Sequence, residues 1–101
     1  MPDAKVNPMH IGLLQLDLHI PYAHSLKEKR MAIRRLKDRL RNRFNVSVSE
    51  LDHQELWQRA GVGIVSIGPD HDYLEQQLNL ALQEVERALP DCTVNGNIEF
   101  L

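Results

Sequence analysis

HIGLLQLDLHIPYAHSLKEKRMAIRRLKDRLRNRFNVSVS, residues 10–49, changes its hydrophobic period twice, and those two changes decide the fold. Over residues 10–20, Leu14, Leu16, Leu18 and Ile20 alternate with Gln15, Asp17 and His19, the period-two signature of a strand buried on one face. Pro21 ends it. Ser25, followed three residues on by Glu28, forms an S-x-x-E capping box. Leu26, Ile33, Leu36 and Leu40 then recur at helical spacing, so a helix is predicted over Leu26–Arg43. Over residues 44–51 period two returns, with Phe44, Val46 and Val48 set against Asn45, Ser47 and Ser49, a second strand.

Downstream, residues 52–57 break the pattern before an apolar run at 60–67 that reads as a third strand. Gly68 and Pro69 punctuate. A second helical stripe follows through Leu74, Leu78, Ala81, Leu82, Val85 and Leu89, opened by Asp72 with Glu75 three residues on and stopped by Pro90. Residues 93–101 close the chain as a fourth strand, Val94, Ile98 and Phe100 alternating with Asn95, Asn97 and Glu99. The order β-α-β-β-α-β, with right-handed crossovers, predicts an α+β ferredoxin-like sandwich: a four-stranded antiparallel sheet with two helices on one face. Its other face is expected to be open and polar, carrying Gln15, Asp17, His19, Asn45, Ser47, Asn95, Asn97 and Glu99. The second strand is the expected edge, and its Asn45, Ser47 and Ser49 do little to discourage pairing with another chain.

A chain of 101 residues supports one core, and the expected organisation is a flexible tail at residues 1–9 followed by a single domain at 10–101. The lone Cys92 excludes an intrachain disulfide, and no apolar run approaches the ~18 residues of a membrane span. Residues 1–9 contain Asp3, Lys5 and two prolines and lack the apolar stretch of a signal peptide. A cytoplasmic location without membrane contact is therefore expected. There is no internal repeat and no low-complexity segment.

Charge is distributed very unevenly. Of twelve Lys and Arg residues, nine stand between Ser25 and Arg43 with only Glu28 and Asp38 to oppose them, a net +7 in a chain whose total is −2. The rest therefore carries −9. On a helical wheel Lys27, Arg30, Arg34, Lys37 and Arg41, spaced 3, 4, 3, 4, share one narrow sector beside the apolar stripe. Such a row can follow a phosphodiester backbone and release its counterions. Lys27, Lys29 and Arg30 stand in the first turns, where the helix dipole disfavours cations, and an anion held at that helix end would offset the cost. The candidate nucleic-acid or anion-binding residues are thus Tyr22, His24, Ser25, Lys27, Lys29, Arg30, Arg34, Lys37 and Arg41, with Tyr22 offering a stacking surface and His24 a hydrogen-bond donor. The competing reading is a solvated or internally neutralised face. The second helix carries Asp70, Asp72, Glu75, Glu84 and Glu86 against Arg87 alone, and the two helices of this fold lie side by side.

Other chemistries find little support. The third strand reads Arg59-Ala60-Gly61-Val62-Gly63-Ile64-Val65, without the aromatics of an RNP motif, and there is no KH-type G-x-x-G clamp. Any nucleic-acid contact is expected to be directed at backbone or shape. His19 with Asp17, His24, and Asp52 with His53 are the histidines to weigh for acid–base or metal chemistry, but no H-x-x-x-H, C-x-x-C, G-x-S-x-G or phosphate-binding glycine loop accompanies them. No catalytic residue, metal or cofactor is expected. Asp52 and Glu55 read as a turn cap, and Trp57 as the anchor of that turn on the sheet edge.

Two strings are specific as a pair: His24-Ser25-Leu26-Lys27-Glu28-Lys29-Arg30 and Asp52-His53-Gln54-Glu55-Leu56-Trp57-Gln58-Arg59. With His19-Ile20-Pro21 and Arg43-Phe44-Asn45-Val46-Ser47-Val48 they make the chain resemble the bacterial YlxP-like family, domain of unknown function 503, over nearly its whole length after the tail. The resemblance implies a ferredoxin-like fold and no established enzymatic activity. It also implies a setting, because such proteins are often encoded beside translation and ribosome-maturation factors, ribosome-binding factor A among them. Ribosomal RNA or a ribosomal subunit is the partner this suggests. The alternative, from a different class, is an oligomeric regulatory or scaffolding module that pairs through a strand edge and binds a small anion or a protein at the loop before the first helix.

Overall fold

Strand β1 (His10–His19) runs through the middle of the sheet, and its alternation decides which way everything else faces. The computed structural model describes residues 9–101; apart from Met9, the expected tail lies outside them. Leu14, Leu16 and Leu18 point into the core while Gln15, Asp17 and His19 stay exposed. Helix α1 (Leu26–Arg43), β2 (Ser47–Asp52), β3 (Arg59–Gly68), α2 (His71–Ala88) and β4 (Thr93–Phe100) follow in the order expected. The sheet is antiparallel throughout, ordered β2-β3-β1-β4. This is the ferredoxin-like sandwich.

The helix-facing row Val48, Ile64, Leu14, Ile98 crosses all four strands in register. Against it pack Ile33, Leu36 and Leu40 from α1 and Leu78, Ala81 and Val85 from α2. Each fully buried aliphatic side chain in such a cluster stabilises the fold by roughly 1.5–3 kcal/mol. The helix starts are capped from within. Ser25 Oγ accepts from Glu28 N (3.1 Å), and the Glu28 carboxylate reaches back past Ser25 to accept from His24 N (2.7 Å). For α2 the cap is Asp70, accepting from Tyr73 N (3.1 Å), two residues earlier than the sequence pattern suggested.

Three expectations about the sheet are corrected. β2 begins at Ser47 rather than at residue 44, because Phe44 is the C-cap of α1 and Asn45 turns out of the sheet, its carbonyl accepting from Ser66 Oγ (2.8 Å). The open face is also less polar than expected. The register places Ile11 beside Ile67 and Leu13 beside Val65 on it, and Leu51 lies over Gly63. Finally, the β2 edge is protected. It is six residues long, it is bulged between Glu50 and Asp52, and the Val48 and Glu50 carbonyls accept from Arg41 and from Gln54 (3.1 Å). The bulge explains the paired glycines of β3: a Cβ at Gly61 would stand 2.7 Å from Asp52 Cβ.

Candidate nucleic-acid interface

Helix α1 turns Ile33, Leu36 and Leu40 into the core, so the side chains about 100° to either side of that stripe flank the sheet. On the flank above edge strand β2, Arg30, Arg34, Lys37 and Arg41 line a groove of about 400 Å³ with Ile33, Asp38 and Glu50. Lys27 continues the row toward the helix start. Among the described residues none of these five cations makes an ion pair. On the opposite flank, Arg39 and Arg43 both bind Glu84 of α2, Arg43 at 2.7 Å, and Arg87 adds a third contact at 3.0 Å. Burial pushes the Glu84 carboxyl up, and the Arg39 hydrogen bond with the charges of Arg43, Arg39 and Arg87 outweighs that, holding it below the ordinary glutamate value. Pairing with α2 therefore reaches one flank of α1 and leaves the other.

Lys29 belongs to neither flank, which corrects its place among the anion-binding candidates. Its side chain is wholly buried, and Nζ donates to the carbonyls of His53 (2.8 Å), Gln54 (3.2 Å) and Arg59 (3.2 Å). An ammonium has three protons, and three carbonyls use them. Glu50 Oε2 stands 2.8 Å away as the counter-charge, outside hydrogen-bond geometry and with no hydrogen-bond partner among the described residues. The cation in the first turn of α1 thus exists to hold the β2–β3 turn. That turn needs holding, because His53 adopts a left-handed φ of 58° that a non-glycine residue takes at a cost. Gln58 ties the same turn to the β1–α1 connection, its Nε2 donating to Pro21 O (2.9 Å) and Ala23 O (3.2 Å). The two sequence strings that looked specific as a pair meet through these bonds.

The remaining candidates separate. Ser25 and Glu28 occupy the start of α1, so the chain's own hydroxyl and carboxylate stand where an external anion was expected. Tyr22 lies on the α2 side with Arg35 and Arg39, away from the basic row, and its hydroxyl is 3.8 Å from Cys92 Sγ. Burial raises both the Tyr22 and the Cys92 pKa. Cys92 is accordingly a poor nucleophile. Asp52 caps its own neighbour, accepting from His53 N (2.8 Å), and Trp57 projects into solvent instead of anchoring the turn. Asp17 takes both of its contacts from Arg59 Nη2 (2.9 and 2.8 Å), and that hydrogen bond lowers its pKa. Sequence reading passed over the grouping of His71, Asp72 and Glu75, whose ligand atoms lie within 4.8 Å of one another. It sits at the start of α2, where the helix dipole opposes a cation.

Fold and site together define a ferredoxin-like α+β protein whose first helix has one cationic flank joined to α2 through Glu84 and another with no ion pair among the described residues. No helix among the described residues is long and apolar enough to cross a membrane. The chain belongs to the family described as protein of unknown function (DUF503), which it matches over residues 11–95. It is 36% identical over 85 residues to the uncharacterized protein YlxP of Bacillus subtilis (strain 168), covering 78% of this chain and 92% of that protein. Among solved structures, a C-terminal segment of the alpha subunit of aIF2 from Pyrococcus abyssi superposes with a TM-score of 0.56 at 18% identity, over 94% of this chain and 53% of that one. A de novo designed protein with a ferredoxin fold, LFR1 1, gives 0.58 at 11% identity over 88% and 84%. SnoaB, a cofactor-independent oxygenase from Streptomyces nogalater, gives 0.52 at 12% over 93% and 91%. At these identities the likeness is one of fold.

Proposed function

We propose that the protein is a cytoplasmic accessory factor, with residues 10–101 acting as one domain, that binds RNA, ribosomal RNA first among the candidates, through the β2-side flank of α1. The carrying observation is that Lys27, Arg30, Arg34, Lys37 and Arg41 have no ion pair among the described residues, although Glu84 of α2 engages Arg39 and Arg43. Five cations in a row along about 20 Å of helix match a phosphate backbone, and four of them, Arg30, Arg34, Lys37 and Arg41, line a groove of about 400 Å³. The test is co-sedimentation with ribosomal subunits across a salt series, with the wild type and with Arg30→Glu/Arg34→Glu/Lys37→Glu. Salt-sensitive association lost in the triple variant supports the reading; no association of the wild type at low salt ends it.

The alternative, an oligomeric module paired through a strand edge, is favoured by one observation. β4 is an edge of eight residues with no register shift in its pairing to β1, unlike the bulged β2. A concentration-dependent dimer in light scattering, with no response to RNA, would support it. A concentration-independent monomer would exclude it.

A further inference from the structure

A second groove, of about 670 Å³, opens where the β2–β3 turn meets the end of β1 and the residues leading into α1. His19, His24, Glu55, Leu56, Trp57 and Arg59 line it. Trp57 is 54% exposed and Leu56 48%, so the turn offers apolar and aromatic surface that packing leaves unused. The presentation is rigid: Lys29 holds the turn through three carbonyls, Gln58 ties it to Pro21 and Ala23, and Ile20 N donates to Gln58 O (2.8 Å). Among the described residues the rings of His19 and His24 have no hydrogen-bond partner, nor has the Glu55 carboxylate, so donors and acceptors rim the indole. The groove lies close in the chain to the start of the cationic row. His24 is three residues from Lys27, at most about 11 Å of chain, and Lys29 beneath the turn is the neighbour of Arg30.

We infer that this groove takes an unpaired nucleobase of the RNA whose phosphates lie along Lys27, Arg30, Arg34, Lys37 and Arg41, the base stacking on Trp57 with its polar edge toward His19, His24 and Glu55. The inference rests on the proposed function and narrows its partner to single-stranded or loop RNA, because a duplex keeps its bases stacked inside. Every base has a π-face, so one indole serves all four and the site discriminates strandedness more than sequence.

Trp57 is the single tryptophan of the chain, so its emission reports on this groove alone. The full chain is titrated into fluorescein-labelled single-stranded RNA and, separately, into a duplex of the same sequence, reading label anisotropy and Trp57 emission together. The single strand is expected to quench Trp57; the duplex is not. Trp57→Ala is expected to weaken single-strand binding by about tenfold or more, and Trp57→Phe to retain most of it. Unchanged circular dichroism checks that both variants fold. Salt-sensitive anisotropy without quenching, and with Trp57→Ala binding as the wild type does, overturns the base site and leaves the phosphate reading standing. Equal quenching by the duplex also overturns it. No anisotropy change with either RNA at low salt removes the phosphate reading and the base site with it.

Discussion

One flank of α1 overhangs β2 and the other faces α2, and the same kind of side chain has a different fate on each. Toward α2, Arg39 and Arg43 converge on the buried Glu84 carboxylate and serve to join two helices. Toward β2, Arg30, Arg34, Lys37 and Arg41 border a groove and have no ion pair among the described residues. Between them Lys29 is swallowed whole. A cation's role is therefore set by the nearest acceptor, and acceptors are supplied by elements distant in sequence: β2 and the turn after it for Lys29, α2 for Arg39 and Arg43.

The largest effect is expected from the cation that looks least special. Lys29→Ala leaves Glu50 and three carbonyls without their partner, and losing one member of a buried pair costs roughly 3–5 kcal/mol. At this chain length each kcal/mol lowers Tm by about 4–8 °C, so thermal melting is expected to fall by ten degrees or more, or folding to fail. Glu50→Ala is expected to cost less, since Lys29 keeps its three carbonyls, and similar losses in the two variants would show that the carbonyls matter little.

Next is the contrast between flanks. Arg30→Glu/Arg34→Glu/Lys37→Glu should abolish RNA association with stability changed by about 0.5 kcal/mol or less, as for surface sites generally. Arg39→Glu/Arg43→Glu should do the reverse, lowering the unfolding midpoint while leaving salt-dependent binding in place. With five phosphates neutralised, log K against log[salt] should have a slope of about −3.5 on single-stranded RNA. Equal losses of binding on both flanks would break the distinction.

A smaller effect comes from pH. The folded Glu84 carboxyl lies below its ordinary value, so at low pH the unfolded chain binds the proton more readily than the folded one. The contribution is complete above the ordinary value and is lost as pH falls through the lower folded one. Glu84→Gln should flatten that part of the acid limb in a denaturation series. The smallest effect belongs to Asp17 and Arg59, both half exposed: Asp17→Asn should change stability by no more than about 1 kcal/mol. A larger loss would mean that the open face is more tightly organised than its exposure suggests.

Much of this was legible in the chain. Alternation from Leu14 to Ile20, the Ser25–Glu28 cap and the Leu26-to-Leu40 stripe specify β1 and α1, because periods of two and 3.6 residues are properties of the backbone itself. The start of β2 was misread because Phe44 and Val46 do pack against the core, but from a connector instead of a strand. The apolar half of the open face was missed because Leu13 and Ile11 were overshadowed by the inward leucines beside them.

The sequence by itself determined the element order, the fold, the row of five cations and the paired strings at 24–30 and 52–59, all of which depend on local spacing. Only the tertiary structure decided that Lys29 is a buried clamp, that Glu84 absorbs one flank of α1, that β2 is a guarded edge and that Trp57 faces solvent. Each of those depends on which groups from distant segments come within a few ångströms, and electrostatic and hydrogen-bond energies fall off over that distance.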